Sequence, residues 1–436
     1  MSKPSKDEDR LAAIAAYLSS GHNGRSPLSQ AEISDWKLLG LTSQSAVSRA
    51  LIRARKQGYF RDAAPTLDLK RLDADGVHDD MEHFASMIEL SEKVRALATL
   101  QEWPRVPELH CIPVRVNMEA ATEVRRRDIR SFFEQAGAVV HGLIKDCGAV
   151  GVSWGETLSN TISALEERMP PRSSNQRRIR KVVPLVGEPP AGETSEFSST
   201  LLAERLYRAL GGAEPAQERY SLRYVHSFIS DDLAKVHMES NLSIGRRLAF
   251  EYYAQVSSYR KIFIGTDDGE PRHRPLVDSL DSILTSLSSD GVPWGTTTQF
   301  GEPARGKGRA QRPRVAYMLP TDGEVMKAVK QAAIGDICGV LLSEETAQHQ
   351  DLRDDLQHRW TGIKPEQLRK HADRSASSGA PGVIVVAFGQ KKVMTTLTAM
   401  RMGYVNHLVI GEALAQELNK QITHLLPHRR RHATAT

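Results

Sequence analysis

From about residue 108 to residue 425 the sequence alternates short, mainly apolar runs with helical stretches, and this alternation constrains the fold more than any other feature. The apolar runs are interpreted as strands buried on both faces, because few of them show the alternation of a strand with one face in water. We predict strands at about 109–116, 149–154, 181–187, 224–229, 261–265, 315–320, 337–342, 383–388 and 407–411. Strands separated by helices indicate a largely parallel α/β sheet, whose ligands bind beyond the carboxyl ends of the strands.

The first 60 residues follow a different pattern. Three helices are predicted, at 9–20, 29–39 and 43–58, with a tight turn just before the third. A helix-turn-helix has this order, and its last helix enters the major groove of DNA. Small polar and basic side chains near the start of the third helix are suited to contact base edges and phosphates. The predicted DNA-binding residues are Ser43, Gln44, Ser45, Ser48, Arg49 and Arg53.

The net charge of +5 neither requires nor excludes a nucleic-acid partner, but the charge is unevenly distributed along the chain. Residues 36–61, 172–181 and 303–314 contain no acidic residue, so the rest of the chain carries the excess of acid. A basic run is usually only a solvated surface, and only the first of these lies on a motif that reads DNA. A plain three-helix bundle with a solvated basic face is the alternative to DNA binding.

Two motifs resemble those of enzymes, and both are incomplete. Gly151–Gly155 matches the G-x-S-x-G turn of serine hydrolases, but no HGGG-type oxyanion loop occurs. Residues 301–307 nearly match a P-loop, but Gly308 stands where a Ser or Thr is required. We therefore favour a Gly-rich turn that presents backbone N–H groups to an anion, with the Thr157 hydroxyl beside them.

Two further segments indicate ligand contacts at strand ends. Gly389 follows the strand at 383–388, and Lys392 comes at the start of the next helix, where a lysine can neutralise a phosphate. An ordinary lysine at a helix start is the alternative. Asp336 is suited either to cap a turn or to bind a sugar hydroxyl.

No metal ion or other cofactor is predicted. The three cysteines are far apart, which argues against disulfides and fits a reducing cytoplasm. His424, His428 and His432 have helical spacing, but Pro427 and the adjacent arginines oppose a metal ion there. No signal peptide and no apolar run long enough to span a membrane is apparent, so we expect a cytoplasmic protein.

Taken in order, these pieces resemble the SorC/DeoR-type sugar-binding bacterial transcriptional regulators, over nearly the whole chain. The matching segments are SQAEI, AVSRALIRARKQGYF, AVGVSWGETL, KVVPLVGE, LLAERLYRALGG, AAIGDICGVLL and VIVVAFGQKKVMTTLTAMRMGYVNHLVIGEALAQEL. The resemblance implies a helix-turn-helix domain at 1–60, a linker and oligomerisation helix at 61–104, and a Rossmann-like effector domain at 105–436. That domain resembles sugar-phosphate isomerases but acts as a sensor rather than an enzyme.

The resemblance also implies partners and effector residues. Operator DNA and a carbohydrate-like effector would be bound by a homodimer or homotetramer. The implied effector-binding residues are Gly155, Glu156, Thr157, Gly187, Glu188, Asp336, Gly389 and Lys392, with Lys392 as the phosphate partner. Glu156 and Gly411 depart from the family pattern, and Glu156 places an anion where a phosphate would approach.

Several functions therefore stay open at this point. The effector is a sugar, a polyol or a phosphosugar. The alternatives are an α/β enzyme, such as a sugar-phosphate isomerase or a serine hydrolase, and a DNA-binding regulator with a degenerate effector pocket.

Overall fold

The structure is a computed structural model, and it divides the chain into two compact units, Met1–Glu92 and Lys93–Thr436, each treated by itself below. The residues that it describes are 12, 15–16, 19, 29–30, 33, 43–57, 59, 78–114, 122–168, 181–188, 197–212, 220–238, 240–265, 274–291, 294–296, 316–317, 323–343 and 350–427. The first two predicted helices lie largely outside these residues. The third is present as α1 (Gln44–Lys56), and α2 (His78–Leu100) follows it.

The second unit is built around a six-stranded parallel sheet, which confirms the α/β prediction. Its strands in spatial order are β1 (Glu108–Ile112), β10 (His407–Gly411), β9 (Gly382–Ala387), β4 (Ser282–Ser286), β2 (Ala149–Val152) and β3 (Lys181–Pro184). Two small antiparallel pairs accompany the sheet, β5 (Gly295–Thr296) with β6 (Ala316–Tyr317) and β7 (Gly335–Ile337) with β8 (Val340–Leu342). Because the main strands run the same way, all their carboxyl ends share one edge.

Helices cover this sheet and supply most of the core. They are α3 (Thr122–Ile144), α4 (Glu156–Arg168), α5 (Ser199–Ala209), α6 (Asp231–His237), α7 (Leu242–Gln255), α8 (Gly323–Ala332), α9 (Gln350–Arg359), α10 (Pro365–Ser378), α11 (Val393–Arg401) and α12 (Glu412–Leu425). Every residue of β9 is buried, as its continuous apolar sequence predicts. On one face Ile384 and Val386 pack with Phe132 of α3 in a single apolar cluster.

The structure differs from the prediction at several strands, and one of them, predicted at 337–342, is divided by a turn into the antiparallel pair β7 and β8. Residues 261–265, predicted as a strand, belong to a π-helical turn, Arg260–Ile264, closed by Gly265 at a φ of 95°. A short apolar run does not distinguish strand from helix, which explains the error. The strand between β2 and β9 is instead β4, whose sequence SILTS is partly polar. The predicted strand at 224–229 forms only isolated bridges, through His226 and Phe228.

Among the residues that the structure describes, none of the helices combines the length and the apolar character needed to cross a bilayer.

Candidate functional site

The helix α1 separates a buried face from a polar one. Its buried residues, Val47, Ala50 and Ala54, recur at helical spacing and pack inside the first unit. The opposite face carries the exposed or half-exposed polar side chains Gln44, Ser45, Ser48 and Arg49. Ile52 lies on the same face and is 52% exposed, a feature that the sequence analysis did not consider.

The ends of α1 are favourable for contact with an anionic polymer. Ser43 begins the helix, because its hydroxyl accepts a hydrogen bond from the Ala46 N–H at 3.2 Å. The first turn has no acidic residue, while the last turn holds Arg53, Arg55 and Lys56. Ser43 thus has a definite structural role as the helix cap, and the exposed face starts at the next residue.

In the second unit, the loop after β2 forms one side of the carboxyl edge. Gly155 has a φ of 120° and its N–H donates to the Phe197 carbonyl at 3.1 Å, so that N–H is already bonded within the chain. Glu156 is the first residue of α4, and Thr157 behind it is buried. The loop therefore presents an acidic side chain, rather than a ring of free amides, at the start of the helix.

The serine of the G-x-S-x-G match is placed inside the core. Ser153 is 1% exposed, and its hydroxyl lies 2.9 Å from that of Thr285 on β4. Its N–H donates to the Leu284 carbonyl at 3.1 Å. A nucleophile must be exposed to its substrate and activated by an adjacent base, whereas this hydroxyl bonds to another hydroxyl in the core.

The loop after β3 lies against a second segment of the chain. A Cβ on Gly187 would lie 2.5 Å from the Val225 carbonyl oxygen, so only glycine fits. The next residue, Glu188, bonds through its N–H to that same carbonyl at 2.7 Å and accepts from the Ser227 N–H at 2.9 Å. These bonds hold Glu188 rigidly beside the start of α5.

The Glu188 side chain is a buried acid whose oxygens make no hydrogen bond of good geometry with the described residues, although the Ser198 and Thr200 hydroxyls lie nearby. Both carboxylate oxygens are buried. Burial raises the pKa of Glu188, and the nearby hydroxyls of Thr200 and Ser198 and the charge of Arg223 oppose that rise. A buried polar atom without a partner is rare in folded proteins, and it marks a place where a bound molecule could supply the missing donor.

Asp336, at the β7–β8 turn, uses its carboxylate to organise the backbone. It is 3% exposed, and its two oxygens accept from the N–H groups of Trp294 at 2.7 Å and Gly339 at 3.0 Å. Its own N–H donates to the Ser288 hydroxyl at 2.7 Å. Of the two predicted uses of Asp336, the geometry matches the turn cap; contact with a sugar hydroxyl stays a prediction.

Two indole rings are stacked beside this turn. Trp294 and Trp360 are both fully buried, with ring centroids 5.2 Å apart and an interplanar angle of 13°. The Trp294 indole N–H donates to the Gly339 carbonyl at 2.7 Å. Gly339, at a φ of 81°, touches Trp360 so closely that a Cβ would lie 1.8 Å from a ring carbon. The turn is therefore fixed by packing on one side and by Asp336 on the other.

Lys392 is influenced by acidic groups from three separate segments, namely the start of α4, the strand β7 and the loop that holds Asp290. Its ammonium donates to the Leu287 carbonyl at 2.6 Å. Burial lowers the pKa of Lys392 to about 8, and the charges of Asp336, Glu156 and Asp290 act against that lowering. The charges of Glu156 and Asp336 thus both act on Lys392, and the shared role of these three residues in effector binding stays a prediction. Glu188 belongs to a separate neighbourhood at the start of α5.

The sequence reasoning missed Asp290, which occupies the start of α11. One carboxylate oxygen accepts from the N–H and the hydroxyl of Thr395, at 2.8 and 2.7 Å. The other accepts from the Met394 N–H at 3.1 Å. A helix start with free N–H groups attracts a phosphate, and here a carboxylate of the chain already binds two of them. Gly389, with a φ of 95°, has open space around its Cα.

Side chains able to hold a metal ion occur together at the opposite edge of the sheet, where Glu108, His110 and His407 meet. The sequence predicted no metal site, and this cluster was not considered.

No model of a known protein family matches the sequence, and no curated protein matches it in sequence. Solved structures do match. The full-length sorbitol operon regulator SorC from Klebsiella pneumoniae is 18% identical, with a TM-score of 0.43, covering 95% of this chain and 99% of its own. A DeoR family transcriptional regulator from Listeria monocytogenes is 12% identical, with a TM-score of 0.43, covering 75% and 98%.

A transcriptional regulator from Streptococcus pneumoniae TIGR4 is 16% identical, with a TM-score of 0.44, covering 75% of this chain and 95% of its own. The matched structures thus include SorC and DeoR family regulators and cover most of this chain, at low sequence identity.

Proposed function

We propose that the protein is a sequence-specific, DNA-binding transcriptional regulator of the cytoplasm, active as a homodimer or homotetramer. The observation that carries the DNA-binding half is α1, a capped helix with an exposed polar face, no acid in its first turn and three basic residues in its last. Gln44 and Arg49 are the side chains suited to base edges, and the basic last turn is suited to phosphates. Ile52 adds an exposed apolar side chain, which is suited to contact the methyl group of a thymine in the major groove.

We further propose that the second unit senses a neutral, polyhydroxylated molecule, a sugar or polyol without a phosphate. The observation that carries this choice is Asp290, whose carboxylate holds the N–H groups at the start of α11. A phosphate arriving beside Lys392 would meet this carboxylate and that of Glu156. Like charges a few ångströms apart repel by about 1–4 kcal/mol, depending on exposure to water.

Carboxylates are good acceptors for the hydroxyl groups of a sugar. Glu156 lies at the carboxyl edge near Lys392. Glu188 offers two buried oxygens without partners, so a hydroxyl that reached it would satisfy an otherwise costly group. Three of the predicted contact residues act mainly by holding the loops in place. The Asp336 carboxylate and the Gly155 N–H are already hydrogen-bonded within the chain, and Gly187 lies against the Val225 carbonyl.

DNA binding is tested by fluorescence anisotropy of the full-length protein on the DNA upstream of its own gene, at moderate salt. Arg49→Ala should weaken specific binding by about 1–3 kcal/mol and relax sequence preference. Arg208→Ala, which removes the same charge from the exposed side of α5 in the second unit, is the matched control and should change little. No preference for upstream DNA over scrambled DNA would refute the regulator.

The effector is tested on the same complex with pairs of sugars or polyols and their phosphate esters. A neutral compound should change operator affinity, and its phosphate ester should act more weakly. A response confined to phosphate esters would refute the neutral effector while leaving DNA binding intact. If no compound changed affinity, the regulator with a degenerate pocket would be the better description. The buried hydroxyl of Ser153 gives no support to the serine hydrolase.

A further inference from the structure

We propose that Glu108, His110 and His407 form a binding site for a divalent transition metal of the zinc type, at the amino edge of the sheet. This site is separate from the proposed effector pocket, which lies at the carboxyl edge. It does not depend on the proposed regulatory function.

Strand geometry brings the three side chains together. Glu108 and His110 are two residues apart on β1, so they point to the same face of the sheet. The parallel register pairs Glu108 with His407, the first residue of β10, and paired residues share a face. The three donors therefore converge from two adjacent strands, although almost the whole second unit separates them in sequence.

The distances between donor atoms suit one small cation. His110 Nε2 lies 3.2 Å from His407 Nδ1. The carboxylate oxygens of Glu108 lie 3.9 Å from that His110 nitrogen and 3.7 Å from that His407 nitrogen. Zinc bonds of about 2.0–2.2 Å at tetrahedral angles separate neighbouring ligand atoms by about 3.3–3.6 Å. Small rotations of the side chains would bring all three to bonding distance.

The ligand types and their exposure also fit zinc. Two imidazoles and one carboxylate form a known zinc set, which leaves a fourth position for water. The side chains of His110 and His407 are 20% and 15% exposed, and that of Glu108 is 53% exposed. The site is therefore partly shielded by protein but open to a metal ion arriving from solution.

The backbone beneath the site is held firmly. The Glu108 N–H donates to the Asn406 carbonyl at 2.8 Å, which joins the starts of the two strands. The Asn406 side chain accepts from the Val383 N–H at 2.8 Å and donates to the Ala372 carbonyl at 3.0 Å. Ligands on paired strands keep their spacing better than ligands on loops, which favours binding without large rearrangement.

The close imidazole pair has one competing explanation. A separation of 3.2 Å also fits a hydrogen bond from the N–H of one neutral ring to the bare nitrogen of the other. Such a pair needs neither a metal ion nor Glu108. Metal titration of the full chain and of a Glu108 variant therefore separates the two explanations.

The experiment titrates Zn²⁺ and Co²⁺ into full-length protein freed of metal by chelation, using calorimetry, thermal unfolding and visible spectroscopy. One strong Zn²⁺ site should appear, zinc should raise the unfolding temperature, and Co²⁺ should show the absorption of tetrahedral coordination. His110→Gln, His407→Gln and Glu108→Gln should each weaken Zn²⁺ binding by at least about tenfold. Glu108 is exposed, so its variant tests the site without disturbing the core.

A matched control addresses the histidines near the chain end. The triple variant His424→Gln, His428→Gln, His432→Gln should retain the strong site unchanged. Loss of zinc binding in the triple variant would place the metal elsewhere and overturn the proposal. Failure of the full-length protein to bind Zn²⁺, or unchanged affinity in Glu108→Gln, would overturn it as well.

Discussion

The two edges of the central sheet are constructed in opposite ways. At the carboxyl edge, loops carry Asp290 and Asp336, and both carboxylates are already bonded to backbone N–H groups of the chain. At the amino edge, Glu108 and the two histidines lie on the strands themselves and face one another. The acidic groups of the carboxyl edge thus mostly hold its own backbone in place, whereas the amino edge offers converging side-chain donor atoms.

This difference shows that polar residues at a strand end need not be ligand contacts. Asp336 and Lys392 have the positions expected of binding groups, yet both bond to the backbone nearby. Under the proposed function, the effector contacts at this edge are acids whose oxygens are not bonded to the backbone in this way, of which Glu188 is the clearest. Substitutions that disturb packing at the carboxyl edge should therefore have the largest effects. Substitutions that change only a charge there should have smaller effects.

The largest effect is expected from Gly339→Ala, which tests whether the carboxyl edge is fixed by packing. The new methyl group would overlap the Trp360 ring, at a position where φ is 81°. Overpacking and the left-handed backbone together should lower the free energy of unfolding by about 3–5 kcal/mol in denaturant titration. Gly389→Ala is the control: its φ is 95° but its surroundings are open, so only about 1–2 kcal/mol should be lost. Equal losses would show that packing does not distinguish the two positions.

A smaller effect is expected from the pH dependence of Lys392. In the folded protein, burial lowers the pKa of Lys392 to about 8. In the unfolded chain, the same side chain has the ordinary lysine pKa of about 10.4. Between these values the unfolded state binds more protons, so stability should rise with pH. Relative to Lys392→Met, which cannot titrate, the unsubstituted protein should gain about 2 kcal/mol from pH 8 to 10.5. Parallel stability profiles of the two proteins would contradict the lowered pKa of Lys392.

The smallest effect concerns selectivity at the same edge. Asp290→Asn keeps an acceptor oxygen for the Thr395 N–H but removes the negative charge at the start of α11. Binding of phosphate esters should then strengthen about tenfold relative to their neutral parents, which corresponds to about 1.4 kcal/mol. The measurement is calorimetry of both proteins with one ester and its parent. An unchanged ratio would mean that Asp290 does not exclude phosphate.

The sequence predicted the parts of this fold that have a clear pattern. The continuous apolar run of β9 indicated a fully buried strand, and the polar start of α1 indicated a capped helix. The strand β4 was missed because two of its buried side chains are polar. Ser282 donates to the Gly382 carbonyl at 2.9 Å, and Thr285 bonds to Ser153, so these hydroxyls are satisfied inside the core.

The candidate sites were predictable to different degrees. Lys392 was singled out because it follows a recognisable strand, whereas Glu156 was implied only by the family resemblance. Asp290 gave no such signal, since an acid in a loop caps a helix only once the fold brings the two together. The amino-edge cluster depends on the register between β1 and β10, which are adjacent in the sheet but about 300 residues apart in sequence. No local sequence pattern encodes that register.

The stacked pair of Trp294 and Trp360 gives the second unit an intrinsic spectroscopic probe. Both rings are fully buried, and the backbone N–H of one of them is bonded to Asp336 at the carboxyl edge. Trp154, in the loop after β2, lies at the same edge and is also buried. Any molecule that shifts these loops should change the intrinsic fluorescence or the near-ultraviolet circular dichroism of the unlabelled protein. Compounds can therefore be screened for the effector before the operator sequence is known.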